Sequence, residues 1–486
     1  MKLCLINHSF KYELEKLIRI FLPFEKIEFS DLKEVTDCCA ITEISNDLAI
    51  ATLILDKKKA DRSYNISNPN DLKESELILA TALFDCFTEI TGYVSQWGLL
   101  TGVRPAKLYS RLCEIMGEKD ATDYFKNILK VSDKKISLCK ETHKGEESII
   151  SKSGNNSFSL YVSIPFCPTR CAYCSFVSHS VDKAKKLIPE YINKLCKEIE
   201  ITASIANKNG LKLETVYIGG GTPTAISAEQ LAEIMTAIKS NFNLSNILEY
   251  TVEAGRPDTV TKDKLKVIKN LGATRISINP QTMNDDVLSV IGRRHTAEDT
   301  KRAFLLAREC GHYNINMDLI AGLPNDTLDS FKNTVNEVLA LNPESVTVHS
   351  LSMKRSSNLN TNGILPEINS GLIASDMVDY AREILSEKGI VPYYMYRQSK
   401  TVGNLENVGY AKTGFECFYN VYIMDETHTI LACGASAVTK LREPCGDYIE
   451  RIFNYKYPYE YIDRFDEIIS RKDGIDNFYA KFGVRD

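Results

Sequence analysis

Six short apolar runs between residues 158 and 349 are separated by five stretches whose apolar residues recur at helical spacing. The runs fall at 159–164, 215–218, 249–252, 274–278, 316–320 and 345–349. The helical stretches fall at 187–206, 228–242, 262–271, 300–309 and 328–341. A strand that feeds a helix and returns beside itself must be parallel, with a right-handed crossover. The pattern therefore predicts an α/β fold whose centre, over 158–388, is a partial (β/α)6 TIM-like barrel, two units short of a complete one. Chemistry in such folds gathers at the C-terminal ends of the strands.

At roughly 150 residues per domain, a chain of 486 residues suggests about three domains. Upstream, 3–6 and 48–55 read as strands and 72–91 and 105–116 as helices, giving a small N-terminal α+β domain over 1–150. Trp97 reads as its core anchor and Pro105 as a first-turn proline. The polar, Gly-containing segment 145–157 reads as a linker. From 389 the alternation stops. Residues 391–396, 417–424 and 429–433 read as strands of a C-terminal cap over 389–486, and the tyrosine-rich stretch 451–461 as helical towards its end.

Hydrophobic residues at 44% and charged residues at 25% suit a large buried core and exclude disorder. A net charge of −5, from 59 basic and 64 acidic residues, argues against a chain built to neutralise nucleic acid. The longest apolar stretch, 48–55, is far below the ~18 residues of a membrane span. Asn7 and His8 interrupt any apolar signal core. These features predict a cytoplasmic protein with no membrane span, whose fourteen cysteines stay reduced and partly free to hold metal.

Three of those cysteines, Cys167, Cys171 and Cys174, follow the first barrel strand at C-x3-C-x2-C spacing. Thiolates are soft ligands that favour iron–sulfur clusters or zinc. Zinc, with His179 as a fourth ligand, and three buried structural thiols are the alternatives. Structural zinc sites usually join two separated ligand pairs, which this single loop does not offer, so a 4Fe–4S cluster with one open iron is the favoured reading. The Gly219-Gly220-Gly221-Thr222 turn follows the second strand, where backbone without side chains can approach a ligand closely. The other eleven cysteines, including the adjacent Cys38 and Cys39, read as small buried hydrophobes or idle thiols.

An aromatic before the third cysteine makes this loop resemble the radical S-adenosylmethionine (SAM) enzymes. Tyr161 through Ile164-Pro165-Phe166-Cys167, the stretch 217–224, Val252-Glu253-Ala254, and the stretches 275–282, 292–296 and 318–324 are similar to the oxygen-independent coproporphyrinogen III oxidase family. Asn279-Pro280, Met353-Lys354-Arg355 and Arg451-Ile452-Phe453-Asn454 resemble its coproporphyrinogen dehydrogenase (HemZ) branch. The resemblance spans about residues 158–455. It implies two cofactors, a 4Fe–4S cluster and SAM, whose reductive cleavage gives a 5′-deoxyadenosyl radical.

The resemblance also implies site residues. Cys167, Cys171 and Cys174 would ligate iron. Gly220, Gly221, Thr222, Gln281 and Asp318 would line the SAM pocket, with Tyr161 and Tyr173 on its methionine or adenine side, and Tyr161, Glu253 and Arg293 would be its catalytic contacts. Arg294, Lys354, Arg355 and Arg397 are candidate cations for propionate arms. The segment 403–410 resembles a substrate-facing loop, and Gly434-Ala435-Ser436 a Gly-Ala-Ser turn. The implied activity is oxidative decarboxylation of coproporphyrinogen III to protoporphyrinogen IX, fed by an electron donor such as flavodoxin or ferredoxin. Two departures keep other readings open. Phe176 stands where the decarboxylases carry a further cysteine. The His-Asn-x-x-Tyr-Trp motif of the HemW haem chaperones is also missing, with 404–410 in its place. A haem carrier that keeps cluster and SAM, and another radical tetrapyrrole-modifying enzyme, are the alternatives.

Overall fold

The computed structural model describes residues 1–174, 178–352 and 368–483. It divides into two units, Met1–Lys140 with Arg397–Leu405, and Glu141–Tyr396 with Glu406–Asp486. The first unit is built on a sheet of β1 (Lys2–Ile6), β2 (Glu28–Ser30), β3 (Cys38–Ser45), β4 (Leu48–Leu55) and β5 (Lys58–Asn65), in the order β2-β1-β3-β4-β5. Strand β1 runs parallel to β2 and β3, whereas β3, β4 and β5 form an antiparallel meander. Along β4 the period of two turns Ala49, Ala51 and Leu53 inward, where they are fully buried. The helix Leu72–Thr91 packs on β4 and β5. Asp71 caps its start by accepting from the amides of Lys73 and Glu74, and Gly92, at φ 68°, ends it.

The helix Pro105–Met116 begins on its proline, as expected. Trp97 is buried in this unit with the Arg397 guanidinium 5.2 Å from its ring centre. Arg397 is only 4% exposed and donates to the carbonyls of Leu100 at 2.7 Å and Asn404 at 3.1 Å. That corrects its reading as a cation for propionate, because its donors serve the backbone of its own unit.

The second unit holds β6 (Ser157–Ile164), β7 (Phe166–Cys167), β8 (His179–Ser180), β9 (Lys212–Gly220), β10 (Glu249–Gly255), β11 (Arg275–Ile278), β12 (Ile315–Ala321) and β13 (Ser345–Ser350). It continues with β14 (Val391–Arg397), β15 (Glu406–Ala411), β16 (Thr429–Cys433), β17 (Val438–Arg442) and β18 (Ile449–Phe453). One sheet joins all but β7 and β8, in the order β14-β15-β13-β12-β11-β10-β9-β6-β16-β17-β18. The six central strands are parallel and follow sequence order, as the alternation requires. The helices Ile188–Lys208, Ala228–Asn241, Lys262–Asn270, Ala297–Glu309 and Leu328–Ala340 are the expected crossovers.

Three local readings are corrected. Residues 417–424 form the helix Phe418–Asp425 rather than a strand; a short apolar run without alternation does not distinguish the two. The expected linker at 145–157 opens inside the helix Asp133–Ile150. A Cβ on Gly145 would lie 2.8 Å from the Tyr393 Cα, so this glycine serves close packing. The segment read as a substrate-facing loop includes β15, a wholly buried strand antiparallel to β13. Strand β16 runs parallel to β6, so the C-terminal segment extends the barrel sheet. Among the described residues, no helix is long and apolar enough to cross a membrane.

A buried ion pair fixes this C-terminal segment. Glu198, 0% exposed, accepts from Lys472 Nζ at 3.0 Å, Tyr461 OH at 2.6 Å, Asn454 Nδ2 at 2.8 Å and the Gly434 amide at 2.7 Å. The Gly434-Ala435-Ser436 turn is thereby held at the end of β16, where a Cβ on Gly434 would lie 2.6 Å from the Ser163 carbonyl.

Candidate functional site

Strand parity makes the barrel interior polar. Leu160, Val162, Val216, Ile218, Val252, Ile276, Met317 and Val346 are fully buried on one face of their strands. The alternate positions carry Tyr161, Tyr217, Glu253, Ser277, Asn316, Asp318 and Thr347, with Tyr161 opposite Tyr217, Glu253 opposite Ser277, and Ser277 opposite Asn316. Strands buried on both faces usually read as near-continuous apolar runs. A polar inner face therefore marks space kept for a polar ligand.

The first three strands end in one tightly interlocked region. Gly220, at φ 110°, and Gly221 bring the end of β9 against the cysteine loop. The Gly221 amide donates to the Ile164 carbonyl at 2.8 Å, and the Thr222 amide to the Phe166 carbonyl at 2.8 Å. A Cβ on Gly221 would stand 2.6 Å from the Phe166 carbonyl and 3.0 Å from Cys167 Sγ. Thr222 Oγ1 donates to Cys167 Sγ at 3.4 Å. Arg256, 3% exposed, donates to Thr169 Oγ1 at 2.8 Å and approaches Cys171 Sγ at 3.8 Å, while Asp258 holds its other face. The glycines thus have a second use beyond open backbone, which is to let the β9 turn and the cysteine loop touch.

All fourteen cysteines are free thiols. Among the described residues no three His, Cys, Asp or Glu side chains already close on one point. The fit to a metal cluster therefore rests on the donor set, three soft thiols on one loop with an arginine and a hydroxyl beside them. His179 turns its ring towards Tyr457 and Tyr459, at 6.1 Å and 6.2 Å between ring centres.

Further round the barrel, two carboxylates sit in different environments. Burial, with the charge of Asp318 adding, pushes Glu253 up to about 7, although Tyr217 OH donates to it at 2.5 Å and works against the rise. Burial also presses on Asp318, but His349 at 3.8 Å and the Asn316 amide at 2.7 Å outweigh it and hold that carboxyl below its usual range. Gln281 is buried at φ 71°, its amide donating to the Asp318 carbonyl and its carbonyl accepting from the Ile320 amide, both at 2.9 Å. Arg293 donates from Nη2 to Tyr173 OH at 2.8 Å. Its Nε and Nη1, like Asn279 Oδ1 and Ser277 Oγ, are buried with no hydrogen-bond partner among the described residues. Orphaned donors and acceptors of this kind cost free energy unless a ligand satisfies them. They fit a zwitterionic, hydroxylated cofactor such as SAM. Tyr161, Tyr217 and Tyr419 stack within 4.4–6.3 Å between ring centres beside Glu253.

Of the expected residues, Gly221 and Thr222 meet Cys167, Arg293 meets Tyr173, and Glu253 and Asp318 feel each other's charge, with Asp318 lying within β12 and not at its end. Arg294 is exposed at the surface. Phe176, Lys354 and Arg355 lie outside the described residues. Sequence reasoning missed Tyr217, Asn316, His349 and Arg256. The first two are two residues from Gly219 and Asp318 on the same strand faces, and His349 lies two positions past Thr347, the register partner of Asp318. Parity would have found these three, but nothing local marks Arg256.

The Radical SAM superfamily profile matches residues 161–338, a class whose cofactors are a 4Fe–4S cluster and SAM. The Bacillus subtilis oxygen-independent coproporphyrinogen-III oxidase-like protein HemZ is 38% identical over 386 residues, 79% of this chain and 77% of that protein. The chain belongs to this oxygen-independent coproporphyrinogen III oxidase-like family of radical SAM proteins. The haem chaperone HemW of Haemophilus influenzae is 32% identical over 312 residues, 63% of this chain and 75% of that protein. The solved Escherichia coli coproporphyrinogen III oxidase HemN shares the fold, with a TM-score of 0.51 at 23% identity over 66% of this chain and 71% of that one.

Proposed function

We propose that this chain removes carbon dioxide oxidatively, without oxygen, from propionate arms of coproporphyrinogen III, giving protoporphyrinogen IX. One observation carries the choice over a haem carrier. A match of 386 residues to HemZ is longer than everything from residue 141 onward, so it reaches into the N-terminal unit. The 312-residue match to HemW does not need that unit.

In this reading Cys167, Cys171 and Cys174 hold the cluster, and Gly220, Gly221, Thr222, Gln281 and Tyr173 line the SAM pocket. When bound, the two cofactors supply one-electron chemistry that removes a hydrogen atom from substrate. The chain's own residues do the rest. Glu253, as a carboxylate, would accept from the methionyl ammonium, and Arg293 Nε and Nη1, without partners among the described residues, would hold the methionyl carboxylate. Asp318, kept ionised by Asn316 and His349, accepts from ribose hydroxyls. Tyr161, stacked with Tyr217 and Tyr419, walls the pocket against water. Each decarboxylation releases one hydrogen atom, one carbon dioxide and one electron, the last to an external acceptor.

The assignment of Glu253 predicts a pH dependence. Its carboxyl titrates near 7, so SAM affinity, followed by calorimetry on cluster-loaded protein, should tighten as pH rises from 6 to 8. In Tyr217→Phe a bond to the ionised form is lost, and the midpoint should move upward. An affinity flat across this range, or an unmoved midpoint, contradicts the role given to Glu253.

The function itself is tested anaerobically with reconstituted protein, SAM, a chemical reductant and coproporphyrinogen III. Chromatography should show protoporphyrinogen together with 5′-deoxyadenosine. The similarity to HemW favours a second reading, a haem carrier. Stoichiometric haem uptake with deoxyadenosine but no porphyrin product would establish it instead.

A further inference from the structure

We propose that Arg256, paired with Asp258, is a positioning residue that raises the reduction potential of the metal cluster on the cysteine loop. This rests on the reading of Cys167, Cys171 and Cys174 as its ligands. Reduction adds an electron to a group already surrounded by thiolate charge, so its potential follows the charges and donors around the sulfurs.

Gly255, at φ 61°, ends β10, and Arg256 follows it into the turn Pro257–Thr259. The Arg256 carbonyl accepts from the Thr259 amide at 3.0 Å and the Thr259 hydroxyl at 2.8 Å, which fixes its backbone. One edge of the buried guanidinium serves Asp258, from Nε at 2.9 Å and Nη2 at 2.8 Å. The opposite nitrogen, Nη1, serves the loop: Thr169 Oγ1 at 2.8 Å, the Thr169 carbonyl at 3.3 Å and Cys171 Sγ at 3.8 Å. The pair is therefore oriented, with its cation against the sulfur and its carboxylate behind. Of the other charged groups near the loop, Arg170 is exposed, and Arg293 keeps donors open for a ligand. His295 lies 3.9 Å from Asp258 and is neutral near pH 7, because burial holds it at about 4. A buried ion pair costs desolvation that apolar residues of the same volume would avoid, so stability alone is a weak reason for this one. Its orientation towards Cys171 supplies a functional reason.

The test is a reductive titration of the full chain, reconstituted anaerobically without SAM and followed by electron paramagnetic resonance, with iron and sulfide counted separately. Arg256→Met should shift the equilibrium against reduction by ~10-fold, a potential ~59 mV lower. Arg256→Lys, which keeps the charge, should retain most of the wild-type potential. Asp258→Asn removes the carboxylate behind the guanidinium and should move the potential the opposite way, upward. It carries the test if Arg256→Met loads no cluster. A purely structural role would lower the iron count or the stability of the variants, yet leave the potential of the loaded cluster in place. Wild-type potentials in the loaded Arg256→Met and Asp258→Asn proteins, or shifts of the same sign in both, would overturn the proposal. A wild-type chain that takes up no iron and sulfide would instead overturn the cluster reading, a separate result.

Discussion

Cys171→Ala should leave the reconstituted protein without its iron–sulfur absorbance and without any reductive cleavage of SAM. A cubic cluster held by three thiols of one loop has no spare ligand from the chain, so the loss is complete. Cys171 is 8% exposed and has Arg256 Nη1 at 3.8 Å, a cation beside the sulfur where negative charge must be carried. The eleven other cysteines stand elsewhere in the sequence; Cys433, for example, bonds to Thr202 in the core and Cys445 is exposed. Cys445→Ala should therefore keep full absorbance and cleavage. Iron and sulfide analysis with chromatographic deoxyadenosine measures both variants. A coloured, SAM-cleaving Cys171→Ala protein would remove this loop as the cluster site.

Glu198→Gln should cost about 3–5 kcal/mol of stability, because it strands a charged lysine in the interior. Lys472 is 2% exposed, and its other partner is the Ala432 carbonyl at 3.1 Å. Removing both charges avoids the stranded ion, so Glu198→Gln/Lys472→Met should recover most of the loss. Denaturant midpoints of the anaerobic protein measure both. The pair also ties Lys472, Tyr461 and Asn454 to the Gly434 turn beside Ser163. Loosening it should lower SAM affinity in the single variant before global unfolding begins. A single variant as stable as wild type would mean that the pair is not a linchpin.

The barrel was legible because period-2 and period-3.6 patterns alternate over a long stretch, and all six strands and five crossovers lie where those patterns place them. The cysteine loop and the glycine turn were legible because few folds need such residues so close together. The helix Phe418–Asp425 was not, since Cys417 through Met424 is apolar but for Asn420 and carries no period. Arg397 shows the limit for charges. Sequence marks a cation, but only the fold reveals that Leu100, Asn404 and Trp97 already occupy it. The Tyr217–Glu253 and Asn316–Asp318 pairs lie between these extremes, visible once strand parity is applied to a single identified site residue.

In the proposed function the polar barrel interior directs hydrogen abstraction at propionate arms of a porphyrinogen. Coproporphyrinogen III deuterated on its propionate methylenes tests it most directly, by mass spectrometry of the 5′-deoxyadenosine formed with SAM and reductant. Deuterium should appear in the deoxyadenosine, with a vinyl product in matching amount. Deoxyadenosine formed without deuterium while the porphyrinogen returns unchanged would contradict it.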